Sequence, residues 1–495
     1  MWADTFIFLL DFQDGSGNRD VSDLVMRKTC QRSRRIWNKL SPTVNTLTFS
    51  IRFSSTIHNL LMTTDKDILI TVTKNSTAWF TGIVRPNFDI IELSRIDTTR
   101  IECVDRGFLL QRKIMTSINW TNYDVCKPSG TGTSIVHQLL VAAGLTAGDA
   151  DAAIPAVAKL IPNYIVIKGD TTYWDALSKI TFEYGYAFYF TDAGKLQLYN
   201  FAPASVSAGA NVLNAGAGGN MLGSFRISRA QREYDGVRVK WWEQDTFGSV
   251  VVASDTTGGT ATLKCNIPLA AGAYYPVDSD TKDIYIDYEY NNYEIVGVNG
   301  CVLDIIAESG IIVDTFTDEL KRAKLKIHNE DSAQHYITKL DVIGNAICKT
   351  VLNWTETPNP LISDKILDIE TDWIYAQADA EKLSSATTRY YKYVAFIYYA
   401  KSKTAFNPGD IVAVQETSWL SINNTCVVTE AVDNLFTEEI SYQLEGITAY
   451  TALSTSTSGT APLGFTEIID ITLDGGAADT ATWDFVYDGG TASSW

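Results

Sequence analysis

Apolar and polar residues alternate with a period of two through four short runs near the start of the chain: TLTFSIRF (46–53), DILITV (67–72), AWFTGIV (78–84) and TRIECVD (99–105). Successive side chains of a strand point to opposite faces, so this period predicts strands with one buried face and argues against helices over the same residues. Phe6 to Phe12 followed by DGSGN adds a hairpin, because Asp and Gly tolerate the turn conformations other residues resist. Sequential strands in this number lose their exposed edges most readily by curling into a small barrel, which is the expectation for residues 1–128.

The pattern changes at KPSGTGTS (127–134), a linker leading into IVHQLLVAAGL, where Ile135, Leu139 and Ala143 share one helical face and Gly144 suits the helix end. A second helix is expected from Thr172, with Asp175 three residues on and Trp174, Leu177 and Ile180 at helical spacing, stopping at Gly185. YAFYF, TDAG and KLQLYNF then read as a hairpin. After the small-residue stretch 205–223, GVRVKWW (236–242) returns to strand alternation, as do DIYIDYEY, EIVGV, AKLKI and YITKLDVIG within 282–345. A short helix is expected at Asp314 to Lys324. From 376, AQADAEKLSSATTRY is composed as a helix, and KYVAFIYYA, NPGDIVAVQ, NTCVVTEAVDN and ISYQLEGITAY are strands. Residues 451–462 read as a Ser/Thr/Gly/Pro linker. Asp-Gly-Gly turns at Asp474 and Asp488 suggest a minimal two-strand repeat in 463–495.

Charge and motif content narrow the functions. The 495 residues carry a formal charge of -18, which disfavours bulk binding to nucleic acid or an anionic membrane. The charge is uneven: residues 1–128 hold 17 basic and 13 acidic groups, and the rest 23 and 45. Seven Cys without a CxxC pair read as thiols, and no apolar run reaches the ~20 residues of a membrane span, so neither an export signal nor stable membrane insertion is expected. GxSxG, GxxxxGK and HExxH do not occur. The chain is read as a non-enzyme, with no catalytic, cofactor-binding or metal residue assigned.

Several clusters are candidates for chemistry. His328, Glu330 and His335 have no standard zinc spacing and read as a solvated loop. Asp278, Asp280 and Asp283 lack the glycine of a calcium loop and read as an acidic turn. SGTGTS at 129–134 could place an anion on a helix start, but reads first as a capped hinge. Trp241, Trp242, Tyr285, Tyr288, Tyr290 and Tyr293 are candidates for glycan stacking, with core or interface packing favoured for most. One basic segment stands out: Arg27, Lys28, Arg32, Arg34, Arg35 and Lys39, between the first hairpin and the next strand. It is expected to meet an acidic surface of a partner through bidentate arginine pairing. Reversal of Arg32, Arg34 and Arg35 to Glu is expected to block assembly and leave the fold intact.

In order along the chain, the opening strands with WFTGIVRPNF, the segment SIVHQLLVAAGL, the unit TTYWDALSKITFEYGYAFYFTDAGKLQLYNF, then KLKIHNEDSAQHYITKLDVIGNAI and the closing PGDIVAV and YQLEGITAY resemble the tail hub, or baseplate hub, proteins of tailed bacteriophages, a family that includes the late control D proteins. The resemblance covers most of residues 1–450. It implies a homotrimer in which two similar barrels per chain make a pseudo-sixfold ring, joining a sixfold tail tube or distal tail protein to a threefold spike or central fibre. It further implies contact with the tape-measure protein, passage of genomic DNA without specific binding, and a place at the virion tail tip after synthesis in the host cytoplasm. The fold class expected is mainly β with α+β insertions: a first barrel over 1–128, an α+β domain over 129–222, a second barrel from 223–271 and 346–450, a β-rich insertion over 272–345, the linker 451–462 and the module 463–495. The alternative reading is a tail-tip lysin or a glycan-binding adhesin.

Overall fold

The computed structural model describes residues 4–447 apart from 39, 86–97, 116–122, 129–132, 162–170, 202–207, 216–217, 224, 230–233, 320, 358–364, 394–395 and 417–421. The linker 451–462 and the module 463–495 lie outside the described residues, as do Lys39 and most of SGTGTS.

The alternating runs become strands. Phe6–Asp11, Val25–Arg35, Thr46–Arg52, Leu69–Lys74, Thr77–Val84 and Thr98–Asp105 pair antiparallel, and Phe6–Asp11 turns back onto Arg19–Asp20 as the expected hairpin. The inward residues of this alternation, among them Phe8, Leu10, Leu47, Phe49, Ile51, Ile70, Val72 and Ile101, form one core that Ile57 and Leu61 of the helix Ser55–Thr63 close. Gly82, within the Thr-Gly-Ile of the quoted motif, faces the close approach of the next strand. A Cβ there would lie 2.1 Å from the Val104 carbonyl oxygen.

This half does not end at its own edge. Strand Val25–Arg35 pairs antiparallel with Ile422–Asn434, which pairs in turn with Glu439–Gly446 and Ile411–Glu416. Phe396–Ser402, Arg226–Arg229 and Val212–Asn214 complete a 13-stranded sheet. The C-terminal half has its own core of Leu213, Tyr398, Val412, Val414, Val428 and Leu444. The fold is thus mainly β, with two half-sheets, each around its own core, sharing one ladder.

The α+β segment follows the expected local signals. Ser134 caps Ile135–Ala142, and Thr172 caps Tyr173–Glu183, accepting the Asp175 amide at 3.1 Å. Gly185, at φ +84°, provides the left-handed turn into the hairpin Tyr186–Phe190 and Leu196–Asn200. The helix expected from 376 is Gln377–Tyr393.

Two expectations give way to longer strands. Gly236–Ser254, expected to feed the second barrel along with the rest of 223–271, instead pairs with His335–Thr357 in a separate five-stranded sheet, of which Glu294–Ala307 is part. The helix expected at Asp314 to Lys324 is two strands, Ile311–Asp318 and Arg322–Asn329. Its Glu, Lys, Leu and Ala favour helix intrinsically, but alternate residues Ala323, Leu325 and Ile327 are buried, and pairing of that face decides the outcome.

Candidate functional site

The basic segment is a strand rather than a surface loop. On Val25–Arg35, Arg32 and Arg34 share a face, and register places Asp433 opposite Arg32 and Ala431 opposite Arg34. Both guanidinium groups are buried, and both reach Asp433, at 2.8 Å from Arg32 Nε and 3.2 Å from Arg34 Nε. Asp192, in the TDAG turn of the neighbouring hairpin, approaches Arg32 at 2.9 Å and Arg34 at 3.7 Å. Two buried cations thus meet two carboxylates. Arg32 also donates to the Trp79 carbonyl and lies 4.1 Å from the Trp79 ring centroid, while Arg34 donates to Asn407 Oδ1 at 2.6 Å. On the other face of the same ladder, Arg35 pairs with Glu430, which also accepts from Ser33 Oγ at 3.1 Å.

The seam therefore ties three sequence-distant regions by charge. Burying an ion pair costs desolvation that only good geometry and further hydrogen bonds offset, and removing one partner leaves an unanswered charge in a poor solvent. Burial and the neighbouring Arg34 charge lower the pKa of Arg32. Arg32 and Arg34 are engaged inside the chain, so their reversal to Glu would disrupt the fold, against the expectation that the fold would survive. Arg27 is half-buried and Lys28 exposed, the latter with its ammonium 5.2 Å from the Phe436 ring. Beside the seam is a cavity of ≈ 380 Å³ whose lining includes Arg34, Arg35, Asn45, Tyr189, Asp192 and Asn407.

A second polar junction lies next to it. The Asp105 carboxylate accepts the Asn45 amide at 2.6 Å and the Gly107 amide at 2.8 Å, and Asn45 Nδ2 donates to the Phe190 carbonyl at 2.9 Å. Burial pushes the Asp105 carboxyl up to about 7 despite those two donors. Glu183 ends the helix Tyr173–Glu183 buried, accepting the amides of Asp372 and Trp373 at 3.1 and 2.8 Å, and burial pushes it up to about 8. Both carboxyls anchor loops to elements.

The other candidates separate. His328 lies 2.8 Å from Asp314 and His335 3.1 Å from Asp331, on different strands. Asp278 pairs with Lys282 and Asp283 with Lys324. Among the described residues, no group of three or more His, Cys, Asp or Glu is placed to hold a metal, and no helix is long and apolar enough to cross a membrane. Trp241 and Tyr288 are core residues, Tyr290 and Tyr293 pack on Phe247, and Arg322 covers Tyr285. The acidic partners Asp433, Asp192 and Glu430 are not apparent from the sequence. The one local trace was arginine at alternate positions 32 and 34, which on a strand puts two like charges on one face without saying whether that face is buried.

No protein-family model and no curated protein matches the sequence. Among solved structures, the chain is similar to the tail protein from Neisseria meningitidis MC58, at 10% identity and a TM-score of 0.47 over 90% of this chain and 97% of that one. It is also similar to the 43 kDa tail protein of prophage MuSo2 from Shewanella oneidensis, at 9% identity and TM-score 0.46 over 90% and 100% of the two chains. A prophage tail protein from Listeria monocytogenes aligns at 9% identity and TM-score 0.38, over 89% and 94%.

Proposed function

We propose that the chain is a structural, non-enzymatic component of a phage tail, and specifically a homotrimeric hub at the tail tip. The observation that carries this reading is the seam: one chain holds two half-sheets, each with its own core, welded by a strand pair and a buried ion network. A symmetry adaptor needs two related surfaces per subunit, because three such chains then offer six. The sixfold side of the ring would meet the tail tube or a distal tail protein, with the tape-measure protein as a further contact, and the threefold side a spike or central fibre. The motif order of the sequence supports the same reading.

The uneven charge fits this role. The slightly basic first 128 residues suit docking on protein, and the acidic remainder, if it lines the lumen, repels phosphate, so that genomic DNA passes without adhering. The basic residues offered for docking reduce to Arg27 and Lys28, with Lys39 outside the described residues. Purified full-length chain, measured by light scattering, should have three times the 54.6 kDa chain mass and give threefold particle averages. A stable monomer would overturn the hub, and release of sugar or peptide from purified cell walls would favour the lysin.

A further inference from the structure

Trp354 is the most exposed aromatic side chain among the described residues, at 65%. Its place in the sheet is fixed by register: Trp354 faces Lys240 across the ladder and Leu352 faces Trp242, so Trp242 and Trp354 are diagonal neighbours on one sheet face. The opposite face, carrying Val237, Val239 and Trp241, is the one packed against Ala380 and Leu383 of the helix Gln377–Tyr393. Among the described residues the indoles are therefore on the side the helix leaves open, with Leu352, also exposed, beside them and the Lys349 ammonium 5.9 Å from the Trp242 ring centroid.

The rim is polar and closed on itself. Arg238 pairs with Glu356 at 2.8 Å and Asp368 at 3.6 Å, and Lys240 with Glu370 at 3.6 Å and Asp368 at 3.9 Å. Two cations and three carboxylates leave one excess negative charge, so the site asks little charge of its ligand while offering both donors and acceptors. Size argues against a protein partner. A Trp buries 150–250 Å² when covered, so one exposed indole, one half-buried indole and a leucine offer on the order of 300 Å². A stable protein interface buries roughly 800 Å² per partner, a little over half of it non-polar, so the apolar part of this face falls short of that share.

We propose that Trp354 and Trp242 form a platform for a neutral oligosaccharide, a flat, equatorially linked pyranose chain whose C–H faces lie on the indoles and whose hydroxyls bond Asp368, Glu370, Arg238 and Lys240. Aromatic rings carry negative faces that attract polarised C–H groups, and a few placed polar groups set orientation. This site stands independently of the hub reading and sharpens the search for glycan-stacking aromatics: Trp241 is core, Trp242 is half of the platform, and Trp354 supplies the other half.

The test is calorimetric titration of the full-length chain with cellotetraose and with tetra-N-acetylchitotetraose. At least one should bind in the millimolar range or tighter. Trp354→Ala should weaken it by roughly tenfold, the effect of losing one stacking ring, while Trp354→Phe stays close to the parent. Because Trp354 is exposed, both variants should keep the parent melting temperature. The proposal fails if neither tetrasaccharide binds, or if Trp354→Ala binds as the parent does. It also fails if Trp354→Ala lowers the oligomeric mass, which would make this face a contact between protein copies.

Discussion

Arg32 and Arg34 constrain this fold through the buried charges they carry. Asp433→Asn keeps the shape of the side chain and removes its charge, leaving the part-exposed Asp192 as the carboxylate that answers two buried guanidinium groups. The variant should lose about 3–5 kcal/mol in urea unfolding, whereas Lys28→Glu, at an exposed position, should change stability by no more than about 0.5 kcal/mol. A comparable loss for both would make the seam a surface feature. Glu183 makes stability depend on pH. Between its ordinary value of 4.5 and its native value of about 8, the folded chain holds a proton that the unfolded chain has released. Its contribution is therefore full below about 4.5 and is lost as pH rises through about 8, with Asp105 acting in the same sense up to about 7. Glu183→Gln removes the titrating group but keeps an acceptor for only one of the Asp372 and Trp373 amides, which bond separate oxygens, so it should lower the melting temperature throughout and flatten its fall between about pH 4.5 and about 8; an unchanged profile would remove Glu183 as its cause. The arginines were visible in the sequence, but their burial was not. Arginine at alternate strand positions ordinarily marks the solvent face, and the partner that reverses this reading is 401 residues away.

Strands and helices were legible where one local signal dominated. Thr172, Asp175 and Gly185 bound their helix by hydrogen bonding and turn geometry alone, and the first half-sheet follows its period of two. Where intrinsic preference and pairing disagreed, as at 314–324, pairing prevailed: Ile311–Asp318 and Arg322–Asn329 pair with each other as a hairpin, and the second also pairs with Tyr274–Tyr275 and Tyr285–Asp287. Gly82 illustrates a constraint at this scale. Its neighbour across the ladder is backbone, which cannot swing aside as a side chain would, so Gly82→Ala should separate the strands Thr77–Val84 and Thr98–Asp105 locally. The expected cost is about 3 kcal/mol, read as a lowered melting temperature. Gly148→Ala, whose Cβ would meet only Thr146 Oγ1 at 3.7 Å, is the control and should change little. Equal losses at the two positions would mean that the close approach at Gly82 relaxes without cost.

At the scale of the molecule, composition and motif order anticipated a mainly β chain, but not that its two halves share a ladder. Of the strands that join them, Ile422–Asn434 reads locally as an ordinary strand, whereas Val25–Arg35 reads as a basic connection between strands. Nothing in a local period says which edge meets which. The same holds for Gly236–Ser254, which belongs to a separate sheet and whose partner His335–Thr357 begins some eighty residues later.

The shared ladder also fixes an order in time. During synthesis, Val25–Arg35 can pair with Thr46–Arg52 early, but its other edge has no partner until residue 434 has emerged, and at roughly 5–20 residues per second that interval lasts tens of seconds. An unpaired edge invites pairing with the wrong chain, and inward-pointing charge is one of the features that discourage it. Arg32 and Arg34 occupy that edge throughout the wait, so the groups that lock the finished sheet also guard the nascent one.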